Sequence, residues 1–220
     1  MIRQKLFCAL VCALAVSAAV VGYSAPVFYL STQTEATTPG LLNLTGVAPN
    51  SSGTLHIWSD SDIRLSSVSL DVIEVGGAIK FTSATILNPL NRRWVITDNP
   101  VVTDSLIINI AGGMLHFNPG GGIGAGSPDG ATVLVASLDY TAIRPGHSSL
   151  FLRVGELVIA DWDGNNPNVH FGTPTSPVVF GGVPGGMGIV GSIEVIPEPA
   201  TLCLIVPAVI GAVVVRRRGA

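Results

Sequence analysis

Along residues 26–195, apolar and polar positions alternate in short stretches separated by turn-forming residues. Nowhere do apolar residues recur at i, i+3, i+4 and i+7 over a stretch free of Gly and Pro. A period of two puts successive side chains on opposite faces of a strand, so the pattern predicts short, half-buried strands and not helices. Residues 53–58 and 68–72 alternate cleanly. The phase slips at Ile73-Glu74-Val75, where a bulge is expected to turn the strand. Residues 79–82 follow Gly76-Gly77, the arrangement of a hairpin. Residues 106–110 and 133–136 are apolar at nearly every position, which predicts central strands covered on both faces. Further strands are expected at residues 28–31, within 148–160, and at 189–196. Ser127-Pro128-Asp129-Gly130 carries Pro and Gly where a turn favours them. Many short strands between turn signals predict one all-β domain over residues 26–195, an antiparallel sandwich.

Two segments depart from this pattern. Residues 6–21 are an unbroken apolar and small-residue run behind Arg3 and Lys5, the charged start and hydrophobic stretch of a secretory signal. Ser17-Ala18-Ala19 and Gly22-Tyr23-Ser24 both place small residues where signal peptidase needs them. Residues 1–25 are therefore expected to form a signal helix cut between 19 and 25, with an uncleaved membrane helix as the alternative. At the other end, residues 200–215 are uncharged, and only Thr201 among them is clearly polar. As a helix these sixteen residues measure about 24 Å, against a hydrocarbon core of about 30 Å. Such a segment enters a bilayer but spans it poorly, and Pro207 removes a backbone donor from its middle. Arg216, Arg217 and Arg218 follow it directly. Clustered Arg stays on the cytoplasmic side, so the sandwich is expected outside the cytoplasm.

Ile196-Pro197-Glu198-Pro199-Ala200-Thr201-Leu202, an apolar run and an Arg cluster, in that order, closely resemble the PEP-CTERM sorting signal. The resemblance covers residues 196–220. It implies a bacterial exported protein processed near Pro197-Glu198-Pro199 by an exosortase, a membrane-embedded cysteine protease, with Arg216, Arg217 and Arg218 as the membrane stop. It also implies a cell-surface or matrix role associated with exopolysaccharide and biofilm. The Thr-Gly pair of a sortase signal is absent, and an ordinary single-pass anchor is the alternative.

The cysteines agree with this partition. Cys8, Cys12 and Cys203 all lie in the terminal runs, so residues 26–195 hold no disulfide, no Cys-based metal site and no thiol nucleophile. Neither Cys8, after Phe7, nor Cys12, after Val11, fits a lipoprotein signal. Residues 26–195 carry 13 acidic and six basic residues, a formal charge of −7. Nucleic-acid binding is dominated by phosphate neutralisation, so this balance argues against a nucleic-acid partner.

Within the domain, Thr132-Val133-Leu134-Val135-Ala136-Ser137-Leu138-Asp139-Tyr140-Thr141, then Arg144-Pro145-Gly146-His147-Ser148, then a further strand and Asp161-Trp162-Asp163-Gly164-Asn165-Asn166 resemble the second half of cohesin-like β-sandwiches. The resemblance is one of strand order. It implies a jelly-roll sandwich and transfers no binding partner.

Candidate chemistry is sparse. Asp161-x-Asp163-x-Asn165 has oxygen ligands at alternate positions, as a calcium loop does, but an EF-hand pattern puts Gly sixth and Glu twelfth, whereas here Gly164 is fourth and Gly172 is twelfth. A solvated turn is the expectation. The Gly-rich stretch 120–126 lacks the Lys-Ser/Thr ending of a phosphate loop. Nothing in the spacing of His56, His116, His147 and His170 brings three metal ligands together. Trp58 is expected in the core, whereas Trp162, between two aspartates in a turn, is the candidate to stack on a sugar ring. The reading is a non-enzymatic exported protein without cofactor, whose partners are signal peptidase, the exosortase-type protease, the membrane and exopolysaccharide. A membrane-retained carbohydrate- or protein-binding module is the alternative, and a secreted hydrolase the third.

Overall fold

The computed structural model describes residues 25–87, 96–113, 123–127, 130–155, 159–161, 170–171 and 178–197. In chain order the strands are β1 (Val27–Ser31), β2 (Leu42–Val47), β3 (Ser52–Asp60), β4 (Leu65–Val75), β5 (Ile79–Ile86), β6 (Ile96–Asp98), β7 (Val101–Val102) and β8 (Leu106–Gly113). They continue as β9 (Thr132–Ala142), β10 (Gly146–Val154), β11 (Ile159–Asp161), β12 (His170–Phe171), β13 (Val178–Phe180), β14 (Val183–Gly185) and β15 (Met187–Val195). One sheet has the order β14-β13-β1-β3-β9-β5. The other has the order β12-β11-β4-β10-β15-β2, with β8 on the opposite side of β4 and β6 and β7 paired to β8.

Alternation builds the core between them. Phe28, Leu55, Ile57 and Leu138 of the six-stranded sheet and Leu70, Val72, Ile110, Leu150 and Leu152 of the nine-stranded sheet form one cluster of buried side chains. Each such side chain contributes about 1.5–3 kcal/mol on leaving water. The expected all-β sandwich is present, but it is not purely antiparallel, because β1 pairs with β13 and β15 with β2 in parallel. Both pairs join strands distant in sequence, so no tight turn dictates their direction. Among the described residues no helix is long and apolar enough to cross a membrane. Residues 6–21 and 200–215 lie outside the described residues.

Three local expectations are corrected. Gly76-Gly77 does not close a hairpin, since β4 belongs to one sheet and β5 pairs with β9 in the other. The turn instead carries the chain across the sandwich, and a Cβ on Gly76, at φ +131°, would stand 2.0 Å from the His147 carbonyl oxygen. The slip at residues 73–75 is not a bulge in β4, whose register against β10 runs unbroken from Leu70 to Val75. It arises because Glu74 takes an inward position and Ile73 and Val75 take outward ones. The bulge lies opposite, in β8, where Asn109 adopts φ +63° and two residues, Ile108 and Asn109, stand opposite the single Asp71 of β4. The apolar run of β8 therefore reflects this bulge, which turns both Ile107 and Ile110 inward. In β9 a second bulge turns Val135 and Ala136 inward together. Neither run marks a strand covered on both faces.

The chain enters at Val27, level with Asp60 and Thr132, and leaves at Val195, level with Gly146 just past the far end of β9. Entry and exit thus lie at opposite ends, separated by the 11 residues of β9, about 33 Å.

Candidate functional site

The outer face of the nine-stranded sheet is built around Ile73. Its register partner in β8 is Leu106 and in β10 Phe151, and Phe151 faces Ile189 in β15. Paired residues share a face, so Leu106, Ile73, Phe151 and Ile189 form one apolar row across four strands. The first three are half-buried and Ile189 is exposed. Beyond Ile189 the row opens into a depression of about 250 Å³ lined by Leu41, Leu42, Asn43, Ile189, Gly191 and Ser192. That volume is below the usual range for a small-molecule site and suits a single side chain. The neighbouring rung is Asp71, Arg153 and exposed Met187. Asp71 is buried, and its carboxylate accepts hydrogen bonds from Arg153 Nη2 at 2.5 Å, Arg153 Nε at 3.2 Å and the Asn109 amide at 3.3 Å. The bulge in β8 is what aims that amide at Asp71.

The outer face of the six-stranded sheet has a different chemistry. Ser31, His56, Ser137 and Thr85 form one rung, and Thr54, Asp139 and Ser83 form the next. Thr54 and Ser83 donate to the two Asp139 oxygens at 2.7 and 2.6 Å and hold its carboxyl below the usual range. His56 Nδ1 lies 2.9 Å from Ser137 Oγ, and burial pushes its imidazole down. Serine, histidine and aspartate therefore stand on adjacent rungs, the residue types of a hydrolytic relay. Their connections differ from one, because Asp139 is committed to Thr54 and Ser83. At the end of this face Tyr29 and Trp58 pair across β1 and β3 beneath residues 32–41. Tyr29 Oη donates to the Thr37 carbonyl at 2.7 Å and Trp58 Nε1 to the Gln33 carbonyl at 3.3 Å. Trp58 is buried as expected, though under this strap and not between the sheets.

Of the residues singled out from sequence, Pro197 is exposed two positions after β15. Glu198, Pro199, Arg216, Arg217, Arg218 and Trp162 lie outside the described residues. Asp161 closes β11, while Asp163 and Asn165 lie outside them. The apolar row and the Asp71–Arg153 pair were not singled out. Their signal was present, since Ile73 and Phe151 are apolar at outward phases of strands that otherwise alternate.

No protein-family profile matches the chain, and no curated protein matches it in sequence. Its architecture is similar to solved cohesin structures. The seventh ScaB type I cohesin from Pseudobacteroides cellulosolvens aligns over 80% of this chain and 95% of its own, at 9% identity and a TM-score of 0.49. A non-cellulosomal cohesin from Archaeoglobus fulgidus aligns over 81% and 96%, at 9% identity and a TM-score of 0.47. CaCohA2 from Clostridium acetobutylicum aligns over 82% and 96%, at 13% identity and a TM-score of 0.46.

Proposed function

We propose that the chain is an exported cell-surface or matrix protein whose sandwich is a non-enzymatic module that binds another protein through the outer face of its nine-stranded sheet. The observation that carries this reading is the apolar row Leu106, Ile73, Phe151 and Ile189. The solvent face of an antiparallel sheet is ordinarily polar, and a contiguous apolar patch marks an interaction surface. The row offers a sugar or an ion little to bond, because the buried Asp71 carboxylate beside it already accepts from Arg153 and Asn109. A protein presenting an apolar ridge, with one side chain for the depression at Ile189, suits it better. Export rests on residues 1–25 and on the sorting tail at Pro197, Glu198 and Pro199.

A photo-crosslinking residue at Ile73 in cells displaying the protein tests the reading. A discrete adduct is expected at Ile73, lost on Phe151→Asp in a protein that still melts cooperatively, with no such adduct from the same probe at Thr54. Identical adducts from Ile73 and Thr54, or none from Ile73, would overturn it.

A further inference from the structure

Among the described residues, large apolar side chains stand exposed at the end of the sandwich from which the chain exits. Four features meet there: the 48–51 turn, the Gly76-Gly77 crossover, the 143–145 turn and the exit at Ile196. Asn50 N donates to the Ala142 carbonyl, Arg144 Nε and Nη2 to the Gly77 and Gly76 carbonyls, and Ile196 N to the Val47 carbonyl. Three exposed large apolar side chains stand on it: Val75 at 56%, Ile143 at 44% and Ile196 at 39%. At the entry end, the turn after β3 carries Asp62 exposed and Ile63 only partly so.

We infer that in the membrane-inserted precursor this exit end rests on the lipid surface, so that the sandwich stands upright with its entry end outward. The inference depends on the tail reading given above and adds an orientation and a contact surface to it. The short connection between sandwich and tail imposes this posture. Val195 is a buried core residue, and the apolar run of the tail begins at Ala200. Five residues reach at most about 17 Å. If Ala200 lies at the hydrocarbon boundary, about 6 Å of that is headgroup layer. The 143–145 turn projects past Gly146, the register partner of Val195, and takes up much of the remainder. Ile143 and Ile196 are therefore held where they meet headgroups. The charges on this end are mixed, with exposed Arg144 and half-buried Lys80 against exposed Asp104 and Glu194. Contact is carried by the tether and the apolar side chains, and depends little on anionic lipid. The posture also requires cleavage of the N-terminal run: residue 21 is six positions from Val27, so an uncleaved run would pull the entry end to the membrane as well.

The test uses the precursor freed of its N-terminal run, residues 26–220, in phosphatidylcholine vesicles, where Cys203 is its one cysteine. Spin labels are placed singly at the natural Cys203, or at Ile143→Cys or Asp62→Cys in a background with Cys203→Ser. Accessibility to a water-soluble relaxation agent is read. Labels at 203 and 143 are expected to be shielded severalfold relative to 62. A flexible Gly/Ser spacer of about 12 residues between Ile196 and Pro197, spanning about 19 Å, should expose 143 and leave 203 shielded. If 203 is shielded while 143 is as accessible as 62, the upright contact is overturned and the tail reading survives. An accessible label at 203 overturns both.

Discussion

Ser148 Oγ donates a 2.6 Å hydrogen bond to Glu74 Oε1, at a position where the alternation of β4 points into the sandwich. The same carboxylate oxygen accepts from the Gly77 amide at 2.5 Å, and Ser148 Oγ accepts from the Ala78 and Ile79 amides at 3.0 and 3.2 Å. A buried polar group is tolerated when its bonds are made, and here they fasten the crossover between the sheets onto β10. Glu74→Ala strips the Gly77 amide and the Ser148 hydroxyl of their acceptor and should cost about 2–4 kcal/mol. Ser148→Ala should cost a similar amount. Urea midpoints at unchanged m-value check both.

Ser59 gives the opposite case. Its hydroxyl is buried and, among the described residues, is the buried side-chain polar group without a hydrogen-bond partner. Replacing an unpaired buried hydroxyl with a methyl removes a desolvation penalty, so Ser59→Ala should be neutral or stabilising by up to about 1 kcal/mol. A clear loss of stability in calorimetry would show that the hydroxyl has a partner in solution.

The strap over Tyr29 and Trp58 is held through its own backbone carbonyls. Tyr29→Phe deletes the bond to Thr37 at a cost of about 0.5–1.5 kcal/mol. It should hasten proteolysis within residues 32–41 before the sandwich unfolds, since local opening draws on the least stable contacts. Cleavage there at the parent rate would mean that the bond does not secure the strap.

Two titrations on the six-stranded sheet have assigned signs. Burial lowers the folded His56 pKa from 6.5, so below that pH the unfolded chain binds the proton that the folded one refuses. Stability contributed by His56 therefore falls as pH drops through 6.5 and levels off below its folded value. Ser83, then Thr54, lower Asp139 from 3.8, so its contribution is full above that pH and is lost as pH falls toward its folded value. Denaturation series across pH should lose the first slope in His56→Gln and the second in Asp139→Asn.

Much of the sandwich was legible in the sequence because one face of each strand is buried, which imposes a period of two. Residues 53–58 and 28–31 fall on strands of the structure, and so does 189–196 except for Ile196, one position past β15. Three of the misread places share one cause. At 73–75, 106–110 and 133–136 a residue type at a given phase reported a specific partner or a bulge, and alternation alone cannot separate those. Glu74 reads as a break in phase because it is charged, and its inward place depends on Ser148, 74 positions away. Asn109 gave no warning of the bulge that turns Ile107 and Ile110 the same way. The parallel pairings were illegible because both are set by packing of strands remote in sequence. The row through Ile73 was written in the sequence as apolar residues at the wrong phase, and only the register of four strands shows that they are neighbours.

The proposed function requires a sandwich delivered outside the cytoplasm and freed of both terminal segments. Intact-mass spectrometry of the protein recovered from cells that express it tests this directly. The expected mature chain begins just after a cut between residues 19 and 25 and ends near Pro197-Glu198-Pro199, without the apolar run and without Arg216, Arg217 and Arg218. A mature chain that keeps those arginines would make the tail an ordinary anchor and contradict the account.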